Sequence, residues 1–172
     1  MSTLRFENGI VTEMVEEALE FCAEKAALKD KEQARDVLLA GDCCVCEYLR
    51  YALSQKVAAY LGSVDDTIQA IYTYEPEHAT GVDEAIPARP NLSPGFNLIA
   101  RVSRKSAALS SVVASMRSAL AEEYRRLGCP TANALCSELD VRAVDEIEVE
   151  KRAGYGALIN SIYVRPIEVW HR

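Results

Sequence analysis

The sequence predicts a single α+β domain with a mixed, mostly antiparallel sheet of about four strands, covered by helices on one face. Three observations lead there. The first third of the chain carries helical periodicity and no strand pattern. Short runs rich in β-branched and aromatic residues then recur at 67–74, 96–102, 139–144 and 166–170. Between the second and third of these lies the longest helical pattern in the chain. The expected order is three helices, strand, strand, helix, strand, helix, strand. Residues 1–41 would form an N-terminal helical extension and 42–172 the core, since 172 residues suffice for one core and are few for two.

Taken in order, residues 1–10 read as an irregular entry. Met14, Val15, Ala18, Leu19, Cys22 and Ala26 predict a helix over 12–28, with acidic residues early and lysines late. Asp30 and Gln33 have capping-box spacing for a short second helix ending near Ala40. Asp42 is placed to cap a third, with Val45, Leu49, Leu53, Val57, Tyr60 and Leu61 inward and Gly62 as its stop. The strand at 67–74 is followed by residues 75–94, which hold four of the six prolines. A connection of this length without periodicity is uncommon in a compact domain.

After the strand 96–102, Ser103 is the expected cap of a helix whose inward stripe is Leu109, Val112, Val113, Met116, Leu120, Tyr124 and Leu127. Arg125 and Arg126 complement its carbonyl end, and Gly128 with Pro130 stops it. Leu139–Val144 is the third strand, 154–164 a short helix, and 166–170 an edge strand, where Pro166 is tolerated.

A net charge of −7 argues against nucleic acid as partner, because phosphate contacts need a basic surface. No apolar run approaches the roughly 20 residues that span a bilayer. The first residues lack the apolar core of a signal peptide. A cytoplasmic setting is therefore expected, with the six cysteines reduced.

From Asp42 onward the order of elements resembles the small nucleotidyltransferase domains of the DNA polymerase β superfamily. Ile68-Gln69-Ala70-Ile71-Tyr72-Thr73-Tyr74 is similar to the strand that enters that family's Gly-Ser turn, here replaced by Glu75-Pro76. The family's next strand carries Asp-x-Asp. Its positions fall on Gly95 and Asn97, and a third carboxylate falls near Asp140. The resemblance implies a nucleotidyltransferase-like core, magnesium with nucleotide as the conceivable cofactor, and a sheet face where the ligands converge. Two-metal phosphoryl chemistry needs clustered carboxylates. Gly95 and Asn97 supply none, so of three positions only Asp140 keeps its acid. The resemblance thus implies a copy that binds nucleotide or protein without catalysis. The N-terminal helices exceed what the sheet needs for cover, which favours a protein partner or a homo-oligomer.

Other constellations lead elsewhere. Arg101, Arg104, Lys105 and Ser106 gather at a strand-to-helix junction where an anion could sit, or where they simply face solvent around a cap; Asn97 and Asp140 are ligand-binding candidates only as the resemblance implies. Cys43 and Cys46 form a Cys-x-x-Cys pair at a helix start, which suits a reactive thiol or part of a zinc site, with Cys129 and Cys136 as distant further ligands. The ordinary reading of the same cysteines is as small apolar residues packing under the helical layer. An active magnesium-dependent transferase would have to relocate its carboxylates to Asp83, Glu84 and Asp140. Glu75, Glu77 and His78 stand in the same long loop, where solvated charge is the ordinary reading.

Overall fold

A computed structural model describes residues 8–74, 96–128 and 139–172. Among them the order is α1 (Asn8–Lys25), α2 (Lys31–Leu39), α3 (Cys43–Val64), β1 (Ile68–Thr73), β2 (Phe96–Val102), α4 (Ala107–Leu127), β3 (Leu139–Asp145), α5 (Glu146–Glu150), α6 (Gly156–Ile159) and β4 (Ile167–His171). The four strands form one sheet in the order β3-β2-β1-β4. β1 is antiparallel to both β2 and β4, while β2 and β3 run parallel. The expected α+β class and mixed sheet are what the chain adopts.

The helix starts follow from short polar side chains that satisfy amides left without intrahelical partners. Asp30 accepts from Gln33 N at 2.9 Å and Asp42 from Val45 N at 2.9 Å. The expected capping box at α2 closes only halfway, because the Gln33 side chain accepts from Lys29 N (2.7 Å). α1 begins earlier than its apolar pattern suggested, and its first turn has no acidic residue. At α4 the cap is Ser106, which accepts from Ala108 N at 3.1 Å, and not Ser103. The cap slides because Ser103 N is committed to Thr67 O at 2.8 Å, which holds the chain to the end of β1. Gly128 ends α4 in the left-handed region at φ 87°, as its position promised.

The main core lies between the sheet and α1, α3 and α4. Leu49, Leu53 and Leu61 of α3 are fully buried in the same core as Ile68 and Ile71 of β1. Each such side chain contributes roughly 1.5–3 kcal/mol relative to exposure. The α4 stripe is buried as its spacing requires, through Leu109, Val113, Met116, Leu120, Tyr124 and Leu127. Two polar ties fix the layer. Thr12 of α1 donates to the buried Glu123 of α4 at 2.9 Å, and Arg35 of α2 donates to Leu127 O at 3.2 Å.

Gly62 does not stop α3, which continues to Val64. It lies under the indole of Trp170, so close that an added Cβ would stand 2.5 Å from Trp170 Cε2 and Cη2. The glycine is there for the approach of β4. Arg172 completes this corner by donating to Gly62 O at 2.8 Å and Ile68 O at 3.1 Å.

The helix expected over 154–164 is only the single turn α6, and α5 ahead of it was not anticipated. These two short helices lie on the second face of the sheet, which is therefore not bare. Ile99, Val144 and Tyr74 pack there with Leu158 and Val164 in a second, smaller core. No helix among the described residues is long and apolar enough to cross a membrane.

Candidate functional site

Strand alternation sends Leu98, Ala100 and Val102 of β2 into the main core, and so turns Asn97, Ile99 and Arg101 to the second face. On β3, Leu139, Val141 and Ala143 face the helices, leaving Asp140, Arg142 and Val144 on the same second face. Because β2 and β3 are parallel and in register, Asn97 is paired directly with Asp140 and Arg101 with Val144. Tyr72 of β1 lies opposite Ile99, and Glu168 of β4 opposite Tyr72. A polar field thus surrounds the small second core.

Most of its charges are matched within it. Arg101 reaches Glu146 of α5 with two donors, at 2.6 and 3.2 Å. Arg142 folds back on Asp140, Nε to Oδ2 at 2.9 Å, as residues two apart on one strand face can. Its guanidinium lies 5.2 Å from the Tyr155 ring centre, and Tyr155 meets Tyr74 edge-on at 6.2 Å. Burial raises the Tyr72 phenol above its ordinary pKa, and Glu168 adds to the rise while Arg101 opposes it. Asn97 is buried, and the Asp140 side chain is 13% exposed.

The structure pairs Asn97 with Asp140 and places Arg101 on the same sheet face four residues further along β2, while Arg104 lies beyond the end of that strand. Lys105 donates to Glu148 at 2.8 Å. Arg104 is exposed and makes no ion pair among the described residues. The expected basic junction is consequently covered by acid, since α5 sets Glu146 on Arg101 and Glu148 on Lys105. At five residues this helix is too short to show a period in the sequence. Its signal was Asp145-Glu146-Ile147-Glu148, a capping box in which Asp145 accepts from Glu148 N (2.9 Å) and Glu148 accepts from Asp145 N (3.0 Å).

The Cys-x-x-Cys pair does stand at the amino end of α3, but its members diverge: Cys43 is exposed and Cys46 buried. Cys44 is raised above its ordinary pKa chiefly by its hydrogen bond with Cys43, the opposite of an activated thiol. Buried Cys22 donates to Val45 O at 3.7 Å, and its thiol is pushed up to about 11 by burial and then by Cys46. Among the described residues no group of three or more His, Cys, Asp or Glu side chains is arranged to hold a metal. Glu75, Glu77, His78, Asp83, Glu84, Gly95, Cys129 and Cys136 lie outside the described residues.

A concavity of about 530 Å³ runs between α4 and β3. One wall is Ser106, Leu109, Ser110, Val113 and Arg117, and the other is β3 from Leu139 to Ala143. Arg117 Nε donates to Leu139 O at 2.9 Å across it. No protein family, curated protein or solved structure matches this chain.

Proposed function

We propose that the chain is a nucleotidyltransferase-like binding module that acts without transferring a nucleotide, and that it associates with itself. The observation that carries the reading is the direct pairing of Asn97 with Asp140 on adjacent strands of one sheet face. Those are the positions the resemblance equates with metal-binding carboxylates. One is a neutral amide, and the other is an acid held by Arg142 at 2.9 Å. A site built this way offers one carboxylate where two-metal chemistry needs several. It retains an amide, two arginines and three tyrosines at the rim of a small apolar core, groups suited to hydrogen bonding and stacking on a nucleotide base.

The test is thermal unfolding with nucleoside triphosphates, with magnesium and with EDTA. A ligand that binds only the folded chain stabilises it by about 2.7 kcal/mol at a hundredfold excess over its Kd. The expected result is a rise in Tm that EDTA leaves in place and Asp140→Ala diminishes. A magnesium-dependent rise, with turnover of the triphosphate that disappears in Asp140→Ala, would establish an active transferase instead. No rise with any nucleotide would overturn the nucleotide half of the proposal.

A further inference from the structure

Among the described residues β3 is the outer strand of the sheet on the side of the α4 groove. The Leu139 carbonyl turns into that groove, where Arg117 meets it. Backbone groups alternate in direction along a strand, so the N–H and C=O of Val141 and Ala143 turn the same way. Beside the groove the exposed residues Ala107, Ser110, Ser111 and Ala114 of α4 are small, and the one long side chain lining it, Arg117, must swing off Leu139 O to admit an approaching strand.

The sequence of β3 is complementary to itself in one antiparallel register. Consider two copies related by a two-fold axis at Val141. Val141 then faces Val141, and Leu139 faces Ala143, as hydrogen-bonded pairs using the groove-facing amides and carbonyls. Asp140 faces Arg142 twice, at the closer non-hydrogen-bonded positions. The apolar pairs fall on the helix side and extend the main core, while the charges fall on the opposite face. Sliding one copy by two residues either way sets Asp140 against Asp140 or Arg142 against Arg142. The Asp140–Arg142 contact seen within one strand at 2.9 Å would become part of a four-charge row across the axis.

We propose that two copies of this chain join through β3, centred on Val141, to make one continuous eight-stranded sheet. The proposal deepens the self-association in the reading above and rests on it. By contrast, β4, the other outer strand, is broken by a bulge opposite Ile71 and Tyr72, a device that discourages edge pairing.

Sedimentation velocity tests the interface with two single variants and their mixture. Asp140→Arg gives copies with two arginines on this face of β3, and Arg142→Asp gives copies with two aspartates. Each is expected to sediment as a monomer where the wild type is a dimer. An equimolar mixture is expected to restore a dimer containing one of each, because every charge then meets its opposite across the axis. A charge needed only within its own strand would not be rescued in this way. Thermal melts verify that both variants are folded, and Ser110→Trp, which fills the groove from the helix side, provides an independent block. A wild-type dimer that persists in all three variants would overturn this interface and leave self-association standing. A variant mixture that stays monomeric beside a dimeric wild type would do the same. A wild type that is monomeric at 100-fold the working concentration of the melts would overturn both.

Discussion

Replacing Gly62 by alanine tests how β4 is seated. In an ordinary helix interior the change stabilises by up to about 1 kcal/mol, because alanine loses less backbone entropy. Here the new methyl would stand 2.5 Å from two ring atoms of Trp170, well inside van der Waals contact. Either the indole tilts away from α3 or β4 shifts outward, and overpacking of this kind costs about 1–3 kcal/mol. The ring is also held from above by Arg172, 5.8 Å from its centre, whose guanidinium donates to Gly62 O. The indole thus has little freedom to yield without loosening that bond. The net expectation for Gly62→Ala is a loss of about 1 kcal/mol, or about 2–4 °C in Tm for a chain of this size. In a Trp170→Ala background the clash is gone and the same substitution should stabilise by up to about 1 kcal/mol. Urea unfolding followed by far-ultraviolet circular dichroism on the four proteins reads both signs. An equal effect of Gly62→Ala in the two backgrounds would refute the close approach as the reason for the glycine.

Two further expectations concern the stability of the fold. Asp145→Ala should cost about 1 kcal/mol through loss of the α5 cap. It should also speed amide exchange at 147–151 while leaving α4 protected; equal exchange in α5 would mean that the cap is not what holds it. The Cys22 thiol, raised from an ordinary 9.0 to about 11, keeps its proton in the folded chain after the unfolded chain has lost it. Its contribution is therefore complete below pH 9 and is lost as pH rises through 11. Urea midpoints should fall across that window, more steeply in the wild type than in Cys22→Ala. Parallel slopes would show that another group sets the alkaline limit.

The readable parts of this chain were those where one period runs long enough to be unambiguous. The α4 stripe over 109–127 spans several turns, and all of its residues but Val112, which is half-buried, proved buried. The strand expected over 96–102 forms with those bounds. Short elements escaped because a single turn has no period. α5 is five residues long, and only its cap pattern announced it. The cap of α4 was misplaced because two serines stand three residues apart, and the choice depended on a hydrogen bond from Ser103 N to the distant Thr67.

The site divides in the same way. That Asp140 and Arg142 share a face is a consequence of strand alternation and was legible in principle. That Asn97 stands beside Asp140 depends on parallel pairing across the whole length of α4, which no local pattern reveals. The basic junction looked open because its acids, Glu146 and Glu148, come more than 40 residues later in the chain.

The pairing of β1 with β4 sets an order on synthesis. Ala70 waits for His171, and Ile71 for Trp170, so β1 leaves the ribosome roughly a hundred residues before the strand that covers its outer side. During that interval α1–α3 can already form their own contacts, while β1 keeps one row of amides and carbonyls open to any extended segment nearby. β4, the last of the described strands in chain order, is thus the one that closes this window.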